Sequence, residues 1–212
     1  MICVCAVSSG APKAVDDDEP LLAAEAVRSL GLKYVVITSV TRDDLPDQGV
    51  GQFVRTVKAV KDLSPAVKVE ILIPDFAAEE DLLSWVCESG ADVIGHNVET
   101  VRRISKSLRP QADHERSLRT LRLIRQFSRE ALVKSGFMVG LGETDEEVFG
   151  TLSELKEAGC DIVTIGQYLA PSKEERHVPV RRFVAPEMFE KYRKEGLARG
   201  LKFVTAGPLV RS

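Results

Sequence analysis

The sequence has no apolar run long enough to span a bilayer, and no signal peptide precedes its first element, so a membrane protein is not expected. Cysteine is sparse: 4 residues, at irregular spacing, do not make a disulfide framework and favour a reducing compartment. Neither charge sign dominates. A net charge of −3 gives no broad electrostatic footprint for nucleic acid. No Gly- or Ser-rich linker divides the chain and no low-complexity segment interrupts it, so residues 1–212 are expected to form a single domain. Apolar residues at 44% and charged residues at 29% are the balance of an ordinary soluble globular protein with a real core.

What is present is an alternation of apolar runs and helical repeats. Tyr34-Val-Val-Ile-Thr38 runs into a polar tip holding Ser39, Thr41, Arg42, Asp43 and Asp44. Such a continuous run reads as a strand buried on both faces of a parallel sheet. Before it, Asp16 to Pro20 look like a helix start, and Leu21 to Leu32 supply an apolar face stopped by Gly31. Valines 50, 54, 57 and 60, with Phe53, recur at helical spacing; residues 67–73 are a second strand, closed by Pro74-Asp75-Phe76. A helix over 77–88, a strand over 92–99, a helix to about Leu108 and another from about Ser117 to Ser128 follow. The rest reads as a strand over 132–139, a helix over 146–158, a strand from Asp161, a long loop 170–186, a helix to about Arg199 and a strand over 202–205. Repeated βα units with short connections favour parallel strands with helical crossovers. Five or six units fall short of the eight that close a TIM barrel, so a partial, open α/β barrel is expected, with a doubly wound sheet as the alternative.

Ligands bind at the carboxyl ends of the strands in such architectures, and several strands here end in polar residues. Arg42-Asp43-Asp44 could orient a polar substrate or simply pair locally in a solvated loop. His96, Asn97 and Glu99 suit a nucleoside or amino-acid ligand, although His96 alone could equally be a satisfied core residue. Lys134-Ser135 and Gly140-Leu-Gly-Glu-Thr-Asp145 bracket one strand, and Thr144 with Glu147 forms a capping box for the next helix. Cys3 and Cys5, with a single residue between them, make a poor cluster motif unaided, since iron–sulfur clusters need several thiolates converging on one cage, typically from Cys-x-x-Cys turns. Cys87 and Cys160 read as small buried hydrophobes.

Taken together, the ordered stretches from Val35 to Leu45, His96-Asn-Val-Glu-Thr-Val101, Arg109-Pro110 with Ala112-Asp113, Lys134-Ser-Gly136, Gly140 to Glu147, Gly166-Gln-Tyr-Leu169 and Gly207 to Ser212 resemble the lipoyl synthase family of radical S-adenosylmethionine enzymes. The resemblance runs from about Cys5 to the last residue. It implies a TIM-like partial (β/α)6 open barrel of the radical S-adenosylmethionine type, here with its first strand largely missing. The activity it implies is a sulfurtransferase one: sulfur insertion into an octanoyl chain held on a lysine of a lipoyl carrier domain, completing protein lipoylation. The carrier would be an acyltransferase E2 subunit or the glycine cleavage H protein, and a ferredoxin or flavodoxin would donate electrons. The implied cofactors are S-adenosylmethionine and two [4Fe-4S] clusters. The implied location is the cytoplasm, or the mitochondrion in a eukaryote. Position at strand ends makes Thr38, Ser39, Asn97, Glu99 and Lys134 candidates for the S-adenosylmethionine pocket; no catalytic residue is singled out.

The sequence also departs from the family pattern. Of the family's Cys-x3-Cys-x2-Cys motif, Cys5 matches the third cysteine, Ile2 occupies the second position, and Cys3 falls between them. Arg211-Ser212 matches the start of an Arg-Ser-Ser motif whose serine ligates the auxiliary cluster, which makes Ser212 a candidate ligand beside Cys5 and Cys3. Gln48 stands where glycine is usual, and Ala77 after Pro74-Asp75-Phe76 is a further small departure. One matching cysteine does not hold a cubane that needs three, so the expectation is weak cluster binding and failed radical chemistry. The chain would then be a truncated or misassembled coding region of an active enzyme, or a remnant without catalysis, the first being favoured. The competing expectations are a non-catalytic module that docks the carrier domain and a metal-independent α/β-barrel enzyme.

Overall fold

The computed structural model describes residues 10, 12–108, 113–172, 174 and 177–211. The apolar runs become six strands: β1 (Tyr34–Thr38), β2 (Lys68–Leu72), β3 (Val93–Gly95), β4 (Leu132–Val139), β5 (Ile162–Gln167) and β6 (Phe203–Gly207). Among the described residues seven α-helices lie between and around them, two of them between β3 and β4: α1 (Glu19–Ser29), α2 (Val50–Leu63), α3 (Glu80–Cys87), α4 (Arg102–Leu108), α5 (His114–Phe127), α6 (Asp145–Glu157) and α7 (Pro186–Ala198). The strands form one parallel sheet in the order β1-β2-β3-β4-β5-β6, open rather than closed. No helix among the described residues is long and apolar enough to cross a membrane.

The chain packs as two compact units. The first comprises Gly10–Gly95 and Leu123–Val133; the second, His96–Arg122 and the chain from Lys134 onward. In the first unit, α2 buries Val50, Phe53, Val57 and Val60, and β2 buries Val69 and Ile71. Helix α1 opens with Pro20 in its first turn, where a missing N–H costs nothing, and stops at Gly31 in the left-handed region. Asp92 ties the start of β3 down. Its carboxylate accepts from Lys61 at 2.5 Å, Lys68 at 2.7 Å and the Val69 N–H at 2.9 Å. In the second unit, the capping box of Thr144 and Glu147 starts α6 as the sequence predicts. Its core gathers Leu118, Leu121, Phe137, Leu152, Leu155, Phe189 and Tyr192.

Three expectations need correcting. β1 is not buried on both faces: Tyr34 and Val36 are each 47% exposed, because only β2 flanks it among the described strands. β3 is shorter than expected, ending at Gly95, and the chain beyond it turns toward β4. α5 starts at His114, before Ser117, because Asp113 accepts from the Glu115 and Arg116 N–H groups and acts as its cap.

The loops after β1 and β2 are strained. Gln48 has φ +49°, and Phe76, Ala77 and Ala78 have φ +44°, +53° and +54°. L-residues rarely adopt this region. Both small departures from the family pattern are here: Gln48, where glycine is usual, and Ala77. The Gln48 amide donates to Glu79 at 2.9 Å, the Ala77 N–H donates to Asp75 at 3.0 Å, and the buried Phe76 ring meets Phe53 edge to face. These contacts hold the turn despite its cost.

Two outcomes are expected. Ala77→Gly relieves left-handed strain at an exposed site and should raise stability by about 0.5–1 kcal/mol in urea unfolding, after the entropy glycine adds to the unfolded chain. For Asp92, burial opposes ionisation, but the two lysines and the Val69 N–H outweigh it and hold the pKa at about 2. A depressed carboxylate pKa contributes stability that is full above the unfolded value of about 4 and is lost as pH falls toward the folded one. Asp92→Asn should therefore cost on the order of 1 kcal/mol at pH 7, allowing for solvent screening, and the difference from the parent should close between about pH 4 and pH 2.

Candidate functional site

In the second unit, the register of β4, β5 and β6 places Gly136 beside Thr164 and Thr205, and Met138 beside Gly166 and Gly207. Paired residues of parallel strands share a face, so this face carries rows of small side chains. The depression they leave is a cavity of about 150 Å³. Gly136, Met138, Thr164, Gly166 and Gln167 line it from the strands; Asn97 and Glu99 line it from the segment after β3; Val210 and Arg211 close it. A cavity this size takes one end of a ligand, since sites burying whole drug-sized ligands run to roughly 300–1,000 Å³.

The glycines here are forced by close approach. A Cβ on Gly136 would lie 2.5 Å from Thr164 Oγ1 and 2.9 Å from Asn97 Oδ1. A Cβ on Gly166 would overlap the Val210 carbonyl, and one on Gly140 would overlap the Gln167 amide. Glu99 sits at φ +67°, a costly conformation for glutamate, and its backbone is pinned on both sides. Its N–H donates to the Gly136 carbonyl at 3.1 Å, and its carbonyl accepts from Met138 at 2.8 Å.

The loop after β4 is built around a buried charge. The Glu143 carboxylate, fully buried, accepts from the Gly140 N–H at 2.6 Å and the Leu141 N–H at 2.8 Å. Gly140 and Gly142, at φ +98° and +104°, permit the turn. Arg103 of α4 bonds the Gly142 carbonyl at 2.8 Å and Glu147 at 2.6 Å. The Gly140 carbonyl accepts from the Arg181 and Arg182 N–H groups. Gln167 completes the clamp: its Nε2 donates to the Arg182 carbonyl at 3.0 Å, and its Oε1 accepts from the Val184 N–H at 2.9 Å. The segment Arg181–Val184 is thereby fastened against the end of β5.

Of the residues expected at a cofactor site, Asn97 and Glu99 are brought together in the cavity. Lys134 lies on β4, two residues before Gly136 and outside the cavity lining; its carbonyl accepts from the His96 N–H. Thr38 and Ser39 belong to the first unit, where both hydroxyls bond backbone carbonyls, of Leu72 and Val40 respectively. His96 takes its structural role, with Nε2 3.0 Å from Ser117 Oγ and the side chain buried. Arg42 pairs locally with Asp44 through two 2.8 Å bonds, and that bonding keeps the Asp44 carboxyl below its usual range. Thr164, Gly166 and Gln167 were missed as site residues, although Gly166-Gln-Tyr168 marks a strand end turning polar.

The cluster ligands expected at Cys3, Cys5 and Ser212 lie outside the described residues. Cys160 is buried, and burial pushes the Cys87 thiol up to about 12, the opposite of what a metal thiolate needs. Among the described residues no three His, Cys, Asp or Glu side chains converge on a metal position. With 4 cysteines in all, these two leave at most two thiols, so the residues present do not make a three-thiolate cage.

Residues 3–155 match the Radical SAM superfamily model. A parallel sheet with a hollow sized for one end of a ligand, on a chain matching that model over most of its length, defines the class: the chain belongs to the radical S-adenosylmethionine superfamily. The chain is 50% identical over 208 residues to the lipoyl synthase of Caldicellulosiruptor bescii, covering 98% of this chain and 71% of that one. It is 53% identical over 210 residues to that of Pyrobaculum calidifontis, covering 98% and 72%. Within the superfamily, it belongs to the lipoyl synthase family. The fold also matches Streptococcus suis SuiB bound to S-adenosylmethionine, with TM-score 0.70 at 11% identity, over 98% of this chain and 48% of that one.

Glu143→Ala should orphan two buried N–H groups and lower stability by about 2–3 kcal/mol. The measurement is urea unfolding, with faster amide exchange at Gly140 and Leu141.

Proposed function

We propose that this chain binds S-adenosylmethionine at the cavity between Gly136, Gly166 and Asn97, as the core of an enzyme inserting sulfur into an octanoyl chain on a lipoyl carrier domain. The observation that supports it is the cavity itself: glycines wherever a side chain would fill it, and hydrogen-bonding groups around it, in a member of the lipoyl synthase family. Asn97, Thr164 and Gln167 offer amide and hydroxyl groups to the polar end of the nucleotide, and Glu99 offers a carboxylate to an ammonium or a ribose hydroxyl. S-adenosylmethionine, when bound, supplies a sulfonium leaving group and an adenosyl moiety. The chain's own part is to bind, orient and exclude water. Thr38, Ser39 and Lys134 remain candidates for the same ligand. Cys3, Cys5 and Ser212 remain candidates for iron ligation, and no radical step is derived through a cluster.

A second reading, a carrier-docking module without radical chemistry, draws on the two described cysteines, a buried Cys160 and a Cys87 whose thiol burial keeps protonated. Anaerobic reconstitution with iron and sulfide separates the two, since thiolate-bound clusters absorb broadly in the visible.

Titration calorimetry with S-adenosylmethionine tests the pocket. Asn97→Ala should weaken binding about tenfold, the equivalent of about 1.4 kcal/mol. Gly136→Ala, which sets a methyl among Thr164 and Asn97, should weaken it at least as much. Undiminished affinity in both variants, with the parent binding, would refute the assignment.

A further inference from the structure

The clamp beside the cavity leaves one feature that binding a small molecule does not use. Phe183 is 74% exposed although its neighbours on both sides are fixed, Arg182 through its carbonyl and Val184 through its N–H, to the side chain of Gln167. Gln167 lines the cavity, so the segment carrying Phe183 is tied to a residue of its wall. Leu209, 83% exposed, precedes Val210, whose carbonyl rests on Gly166; Leu169, 46% exposed, lines the cavity as well. Exposed apolar side chains next to residues that line a cavity point to a protein contact. Arg181 and Arg211 are exposed and neither forms an ion pair with a described residue; Arg182 is satisfied by Asp145, and Glu99 puts a carboxylate in the cavity lining.

We propose that Phe183 and Leu209, with Arg181 and Arg211, form the docking surface for the folded carrier domain, contacting apolar and acidic residues around its acylated lysine. The inference rests on the functional reading above, which supplies the occupant: a substrate that is a side chain of another protein reaches the cavity only if that protein's surface meets its mouth. Phe183 suits such an encounter, because its flanking backbone is already held and less ordering is needed on contact. The two arginines steer an acidic surface and set a salt dependence.

The test measures fluorescence anisotropy of two probes, the octanoylated glycine cleavage H protein and a short octanoyl-lysyl peptide, against the whole chain. The parent should bind the carrier at least tenfold more tightly than the peptide. Phe183→Ser should weaken carrier binding tenfold or more and leave peptide binding unchanged, and Leu209→Ser should act in the same direction. Arg181→Glu should weaken the carrier alone and flatten its salt dependence. Unaltered unfolding midpoints, expected for exposed positions, show that the variants fold. Carrier binding undiminished by Phe183→Ser, with peptide bound as before, would overturn the docking surface and leave the functional reading standing. Loss of self-association in Phe183→Ser, with carrier affinity intact, would assign the face to a second copy and also overturn it. A parent that binds neither probe would overturn the functional reading and the docking surface with it.

Discussion

The buried amide of Gln167 is the joint on which the second unit depends. It is the last residue of β5, it lines the cavity, and it satisfies one acceptor and one donor of the segment Arg181–Val184. A primary amide is suited to this because it offers both functions from one planar group. Glu143 is the complementary device one strand over: an acceptor-only group, facing two N–H donors that nothing else reaches. A carboxylate removed from water is tolerable only when hydrogen-bonded in this way. Together they give a loop region, ordinarily the softest part of a βα fold, the fixity of a strand.

Strain is concentrated in the same places. Glu99, Gln48 and the turn Phe76–Ala78 all have φ in the left-handed region, and all follow the carboxyl ends of strands. Each such residue costs of order 1–3 kcal/mol, a large fraction of a domain's net 5–15 kcal/mol. Their persistence requires fixed neighbours, and each has them: β4 brackets Glu99, Asp75 holds Ala77, and Glu79 holds Gln48. At Glu99 the result is a side chain delivered to the cavity wall that an ordinary extended residue would aim elsewhere. The strain at Gln48 and Ala77 has a different origin, because the conformation suits glycine and the side chain gains only one bond in one case and none in the other.

Much of the fold was legible in the sequence, because its elements are fixed by short-range rules. Apolar runs gave the strands of the parallel sheet, Pro20 and Gly31 the ends of α1, and the Thr144–Glu147 spacing a true capping box. What misled was context. The run from Tyr34 promises burial on both faces, and nothing local says that only one neighbouring strand flanks it. Asp113 resembles any loop aspartate until its oxygen is seen against two helix N–H groups. The site was half legible for the same reason. Asn97 and Glu99 announce themselves as polar groups at a strand end. Gly136, Thr164 and Gly166 matter through register, which is a property of the assembled sheet and not of any one strand.

The functional reading therefore rests on two physically independent requirements. Holding a nucleotide takes shape and hydrogen bonds, which β4, β5 and the chain after β3 supply from residues fixed by the fold. Holding an iron cage takes three thiolates converging on one point. Cys160 serves the core, and the thiol of Cys87 is kept protonated by its burial. The glycine-cleared hollow and the clamped wall beside it depend on strand register and on the two bonds of Gln167, and neither of those draws on a thiol.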